Sequence, residues 1–337
     1  MDKEDKMDSD IGRDRYEVVD GFFKRPKGWT FVEAADVSVD DEDNVYVFSR
    51  GAHAVMIFDK SGTFLDAWGE IGGIGDRYFT FPHGLSVGRD GFVYTTDTRD
   101  HTVRKFTKDG KLVMTLGTSH QNAPAFSGKP FNRPSHATVA SNGDIYVSDG
   151  HGNAAIHCFN AQGELKFSWG AYGDGPGEFK MVHSVFIDHE DNDTVYVTDR
   201  FNNRIQFFTP AGEFLGQWGD VLMPQSVRKG PDGAFYVAQL AHQITVLRKD
   251  GSVLARWGGG TEVGDVDIGQ PKVAFATAPS RDPEVRQRVR QEPGPGLFCA
   301  PHGIAVDSEG SFYVAEASES WSGLDRGGRS VQKFVRR

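Results

Sequence analysis

The chain has 337 residues, with 41 glycines and 25 phenylalanines: enough apolar side chain for a large core and enough glycine to turn many short strands. Its formal net charge of −10 argues against a nucleic-acid or anionic-membrane surface, which needs clustered Lys and Arg, and leaves small molecules as the expected partners. Only two cysteines, Cys158 and Cys299, and no run of about 18 apolar residues exclude a disulfide framework and a spanning helix, so a reducing cytoplasm is the expected location.

Residues 1–14 are charged, with no apolar stretch that could serve as a secretory signal, and read as a flexible tail. From residue 15 to 337 the pattern is that of one all-β domain. A strand is expected in "RYEVVDGFF", and six repeats follow, anchored on "NVYVFSR", "FVYTTDT", "DIYVSDG", "TVYVTDR", "AFYVAQL" and "SFYVAEA". After each of the first five come a second alternating stretch, a glycine-containing turn and a strand ending near Trp-Gly, as in "VMIFDKSGTFLDAWG" and "IQFFTPAGEFLGQWG". Each repeat therefore supplies four short antiparallel strands, the unit of a propeller blade, and six blades close a ring. The last repeat ends one strand short, and the N-terminal strand is expected to complete it and close the ring. Residues 260–297 carry "SRDPEVRQRVRQEP" and form a long insertion between blades, expected over the face that bears the function.

Counting back ten to thirteen residues from each blade's tyrosine reaches the head of the innermost strand, at Ala35, His83, His136, His183, Gln225 and His302. Four histidines in six equivalent places predict a ring of imidazoles at one mouth of the channel. His83, His183 and His302, from blades two, four and six, stand about 120 degrees apart. They suit a divalent transition metal, zinc first among them, with a coordination position left open. His136 and His151, both from blade three, are the acid/base candidates. Arg50 and Arg200, at the ends of second strands on the same face, are expected to hold a substrate anion. The repeated Asp of "TTD", "VSD" and "VTD" reads as a turn-former holding the hairpin between second and third strands, and Arg204 as a blade-packing residue. His53, His101, His120, His157, His189 and His242 read as surface or turn residues.

The "YVxD" blades resemble NHL repeats. The set "VFSRG", "FPHGLSV", "VSDGHGNAAI", "VHSVFI", "VTDRFNNRIQ" and "APHGIAV" resembles the peptidyl-α-hydroxyglycine α-amidating lyase family over nearly the whole chain after about residue 30. The resemblance implies a metal on His83, His183 and His302, substrate-site arginines at Arg50 and Arg200, and cleavage of a carbinolamide to an amide and glyoxylate. It also implies three departures. His151 stands where the family has its catalytic tyrosine, and His136 where an acidic residue is expected. Gly303 stands where an acidic side chain helps the family hold a structural calcium, which leaves calcium open. The expected function is thus a metal-dependent lyase cleaving a C–N or C–O bond of a small α-hydroxylated amide or acid. A metal-dependent hydrolase such as a lactonase, and a non-catalytic NHL binding scaffold, are the alternatives.

Overall fold

A computed structural model describes residues 16–73, 75–258 and 294–337. The charged tail and all but the end of the 260–297 insertion lie outside the described residues. The strands form six antiparallel sheets arranged as the blades of a six-bladed β-propeller. The innermost strands of blades 1 to 6 are Ala34–Val39, Pro82–Val87, Pro134–Val139, Val182–Asp188, Pro224–Lys229 and Pro301–Val306. Contacts between successive inner strands, including the sixth with the first, complete the ring.

Closure follows the sequence expectation. Tyr16–Val19 pairs antiparallel with Val331–Arg336, in the register Tyr16 to Arg336, and supplies the outer strand of blade 6. The joint is reinforced by the Tyr16 hydroxyl, 2.8 Å from that of Tyr236 in blade 5, and by the Tyr16, Trp257, Phe312 and Phe334 side chains packed between the two blades. This pairing covers the edge that Val331–Arg336 would otherwise expose.

The acidic residue that ends the second strand in blades 2, 3, 4 and 6 has a structural task. Asp97 accepts the Phe81 N–H at 3.0 Å, Asp149 the Asn132 N–H at 2.9 Å, Asp199 the Lys180 N–H at 3.0 Å, and Glu316 the Ala300 N–H at 3.0 Å. Each carboxylate thereby satisfies donors of the loop that feeds its own blade's inner strand, which sets where that strand begins. Arg204 packs as expected, bonded to Asp199 and to three loop carbonyls. His157 is a correction: it is fully buried within blade 3, with Nδ1 2.7 Å from Ser168 Oγ and Nε2 3.2 Å from Asp149 Oδ2.

One irregularity recurs in all six blades. The ladder between first and second strands skips after Ala34, Pro82, Pro134, Val182, Pro224 and Pro301. The unpaired residues are Ala35, His83, Ser135, His183, Gln225 and His302. A bulge frees its residue from the pleat and re-aims the side chain, here at the head of the channel. In blade 2 the skip includes Gly84, where a Cβ would lie 2.4 Å from the Ser135 carbonyl oxygen; only glycine lets the two inner strands approach so closely.

Candidate metal centre

The six bulges alternate in chemistry. Even blades present His83, His183 and His302; odd blades present Ala35, Ser135 and Gln225, whose carbonyl oxygens meet the imidazoles of the preceding blade. His83 Nδ1 lies 2.8 Å from the Ser135 oxygen, His183 Nδ1 2.9 Å from that of Gln225, and His302 Nδ1 2.6 Å from that of Ala35. A carbonyl only accepts, so each Nδ1 carries the hydrogen and each Nε2 keeps its lone pair. The rings form a near-equilateral triangle, with centroids 4.8 Å (His83 to His183), 4.7 Å (His83 to His302) and 4.6 Å (His183 to His302) apart.

His151 joins from blade 3. Its Nε2 is 2.8 Å from His83 Nε2, and the ligand nitrogens of His83, His151 and His183 all lie within 4.8 Å of one another. His183 Nε2 is buried without a hydrogen-bond partner, as a nitrogen aimed at an absent ligand would be. All four imidazoles are held neutral. Burial, with the Arg50 charge next, takes His83 down to about 3, and burial takes His151, His183 and His302 well below the usual histidine range. Neutral nitrogens on oriented rings fit a divalent transition metal.

His136 belongs to a different layer. In five blades the bulge follows a fixed count to the tyrosine, eleven residues in blades 1, 2, 5 and 6 and thirteen in blade 4, whose turn is longer; in blade 3 eleven residues before Tyr146 is Ser135. His136 is thus one step further along its strand and pairs opposite Ser148 in the regular ladder. Its Nε2 accepts from Arg228 Nη2 at 2.9 Å, and it is absent from the cavity above the histidines. A step of one residue at a bulge changes the level a side chain occupies in the channel.

That cavity has a volume of about 170 Å³ and contains Arg50, His83, His151, Arg200 and His302 in its wall. The residue after each second strand contributes in blades 1, 2, 4, 5 and 6, as Arg50, Thr98, Arg200, Leu240 and Ala317. The two arginines differ. Arg50 forms an ion pair with Glu33, donates to the Pro82 oxygen at 3.0 Å and to Ser320 Oγ at 2.9 Å, and lies 3.8 Å over the Phe81 ring. Among the described residues Arg200 is buried without a carboxylate partner; its Nη1 is 3.6 Å from Met181 Sδ, its Nε meets no acceptor among them, and Phe201 and Trp321 flank it at 4.9 and 5.2 Å. Burial alone draws its pKa down to about 9, and a guanidinium buried in this way suits an anionic ligand.

Sequence reasoning missed Glu33, Phe81, Ser320 and Trp321. The last two sit on helix α1 (Ser318–Ser322), in a stretch with no counterpart in the other repeats. Glu33 and Phe81 were within reach, since both lie just ahead of a bulge.

Comparison with known proteins bears on fold and kinship. Residues 132–227 match a family described as 6-bladed beta-propeller, and residues 79–106 and 298–320 match the NHL repeat. Human NHL repeat-containing protein 3 is 33% identical over 242 residues, which cover 67% of this chain and 67% of that protein. Peptidyl-alpha-hydroxyglycine alpha-amidating lyase 1 of Drosophila melanogaster is 33% identical over 160 residues, 44% of this chain but only 29% of that protein. A streptogramin B lyase structure superposes with a TM-score of 0.57 over 96% of this chain and 98% of that one, at 15% identity, which speaks for the fold alone. No helix among the described residues is long and apolar enough to cross a membrane.

Proposed function

The chain belongs to the NHL-repeat β-propeller family and resembles the amidating lyases within it, and from that premise we propose that it is a metal-dependent lyase acting on a small α-hydroxylated amide or acid. The observation that carries the reading is the convergence of three carbonyl-oriented imidazoles beside a buried arginine that has no counter-ion among the described residues. His83, His183 and His302 would hold the metal, zinc before other divalent transition ions, and His151 is near enough to serve as base. When bound, the metal would supply Lewis acidity toward a carbinol oxygen.

The remaining steps belong to the chain. Arg200 binds the substrate carboxylate and fixes which end of the molecule faces the histidines. Arg50, already neutralised by Glu33, shapes the wall beside Phe81 more than it attracts charge. His151 takes the hydroxyl proton on Nε2, the nitrogen that lies 2.8 Å from His83 Nε2 and that is released from that contact when His83 holds the metal. The O–H electrons become the second bond of the new carbonyl as the C–N pair leaves with the amide nitrogen. The same proton then passes from His151 to that nitrogen, so R–CO–NH–CH(OH)–COO⁻ gives R–CO–NH₂ and glyoxylate with no water consumed. An engineered cavity of ~150 Å³ holds one benzene molecule. A space of about 170 Å³ therefore suits the hydroxyglycine end of such a substrate, not a long chain. Small anionic substrates and a cytoplasmic setting, in keeping with a chain that has only two cysteines, complete the proposal.

The test is glyoxylate release from a series of N-acyl-α-hydroxyglycines, corrected for spontaneous breakdown, with metal content measured in parallel. The expected result is turnover that disappears with the metal in His183→Ala and with the metal retained in His151→Phe. Metal-loaded wild-type protein that releases no glyoxylate from any of the series would sink the reading.

A further inference from the structure

Beneath the histidine layer the inner strands present a second ring of residues, Asp36, Gly84, His136, Ser184, Ser226 and Gly303, each one step past its bulge. Here the odd blades carry the charge. Asp36 of blade 1 is 3% exposed; its Oδ1 accepts the Val37 N–H and its Oδ2 the Leu85 N–H, both at 2.9 Å. Its Oδ2 lies 3.5 Å from His136 Nε2 of blade 3, and that nitrogen accepts from Arg228 Nη2 of blade 5 at 2.9 Å. Arg228 Nη1 also donates to the Val227 oxygen at 2.8 Å, and its side chain reaches in from the opposite mouth, where it lines a cavity of about 860 Å³.

These residues do not fit the calcium that the family resemblance leaves open. Calcium takes six to eight oxygen ligands. The Asp36 oxygens already receive two N–H donors and face an imidazole and a guanidinium. Gly303 offers no carboxylate, and a Cβ there would lie 2.3 Å from Asp36 Oδ1, so Asp36 itself fills the space in which an acidic side chain at 303 would start. What the layer does contain is a buried negative charge and, two blades away on either side of one histidine, a positive one. Burial pushes the Asp36 carboxyl up to about 7, and the Arg228 charge is the first influence that opposes it.

We propose that Arg228 is the built-in cation of this layer, balancing Asp36 by its charge across the intervening His136 so that the propeller is held together beneath the histidines without calcium. The three odd blades are thereby tied at one level, beneath the level at which the histidine rings of the three even blades meet. The inference concerns this layer alone and stands or falls independently of the lyase reading.

The test uses the full chain. Wild-type protein stripped of all metals should show the same Tm with and without millimolar calcium, and freshly purified protein should contain no stoichiometric calcium. A calcium-raised Tm, or one calcium per chain, would overturn the proposal. Arg228→Met should lower Tm by roughly 5–10 °C, because it leaves a buried carboxylate uncompensated. Arg228→Lys, which keeps the charge, should lose less than half of that. Combining Arg228→Met with Asp36→Asn should cost less than the two single changes added together, since the double variant has no charge left to balance. Additive losses, or an Arg228→Met protein as stable as wild type, would count against it. Should Arg228→Met fail to fold, the calcium measurements and Arg228→Lys decide the matter.

Discussion

Blades 1 and 4 face each other across the ring and place an arginine at the same point, one residue beyond the second strand. In each blade the arginine's N–H bonds the carbonyl of the residue two places before the bulge, Glu33 for Arg50 at 3.0 Å and Met181 for Arg200 at 2.9 Å. The backbone is therefore equivalent and one side chain differs. Glu33 pairs with Arg50 and also accepts the Ser320 N–H at 2.7 Å, which docks helix α1 over the mouth. Met181 offers Arg200 a sulfur at 3.6 Å and no charge. Two arginines that look interchangeable in the repeat are thus unlike: one is paired with a carboxylate in the wall, and the other, among the described residues, is a buried charge without one.

Breaking the charged half of this comparison should have the largest effect. Arg200→Met should lower kcat/KM on the order of 10²–10³-fold, the cost of losing a desolvated charge pair with the substrate. The same change should raise stability by about 1–4 kcal/mol, since a hydrophobic side chain replaces an uncompensated buried charge. A variant that loses activity while its Tm falls would return Arg200 to a structural role.

Copying the blade 1 arrangement into blade 4 comes next. Met181→Glu gives Arg200 a resident partner, and kcat/KM should fall about 10²-fold, carried mainly in KM, while bound metal is unchanged. Full activity with Glu at 181 would mean that no anion sits on Arg200.

The converse change in blade 1 should tell mostly on stability. Arg50→Met leaves Glu33 buried beside the Ser320 N–H alone and should cost about 3–5 kcal/mol in denaturant unfolding. Activity should fall only about tenfold, through loosening of the wall at Phe81 and α1. A loss of activity equal to that of Arg200→Met would make the two arginines equals after all.

The smallest effect concerns protons. Burial, then Arg50, then at a greater remove Arg200 hold His83 low, so in metal-free protein Arg50→Met should raise the His83 midpoint above about 3 by more than Arg200→Met does, as read by NMR titration. The sign for stability follows. Between the unfolded value near 6.5 and about 3 the unfolded chain binds a proton that the native state refuses. Stability is therefore full above pH ~6.5 and is lost as pH falls, by about 1.4 kcal/mol per pH unit for each such histidine. A metal-free Tm that does not change between pH 7 and 4 would contradict the neutral cluster.

The repeat alone was enough for the six blades, the closing strand and three of the four clustered ring histidines, because each depends on a period that survives in the chain: alternation within a strand, a fixed count from bulge to tyrosine, a turn with glycine. His151 was legible too, from its place after Asp-Gly in blade 3. His136 was read one level too high, since a histidine one residue from the expected place drew the alignment to itself, and at a bulge one residue decides the layer. Trp321 and Ser320 were invisible, lying where the sixth repeat departs from the others.

Beyond the period, only the folded ring decides. No local pattern says that the Ala35, Ser135 and Gln225 carbonyls will orient the imidazoles of other blades, that Asp36 and Arg228 will meet the same histidine, or that Glu33 will cancel one arginine while Met181 leaves the other exposed to whatever enters. Alternation and turn chemistry act between neighbours in the chain, whereas the imidazole contacts of the channel act between strands whose residues are 42 (His183 and Gln225) to 267 (His302 and Ala35) positions apart.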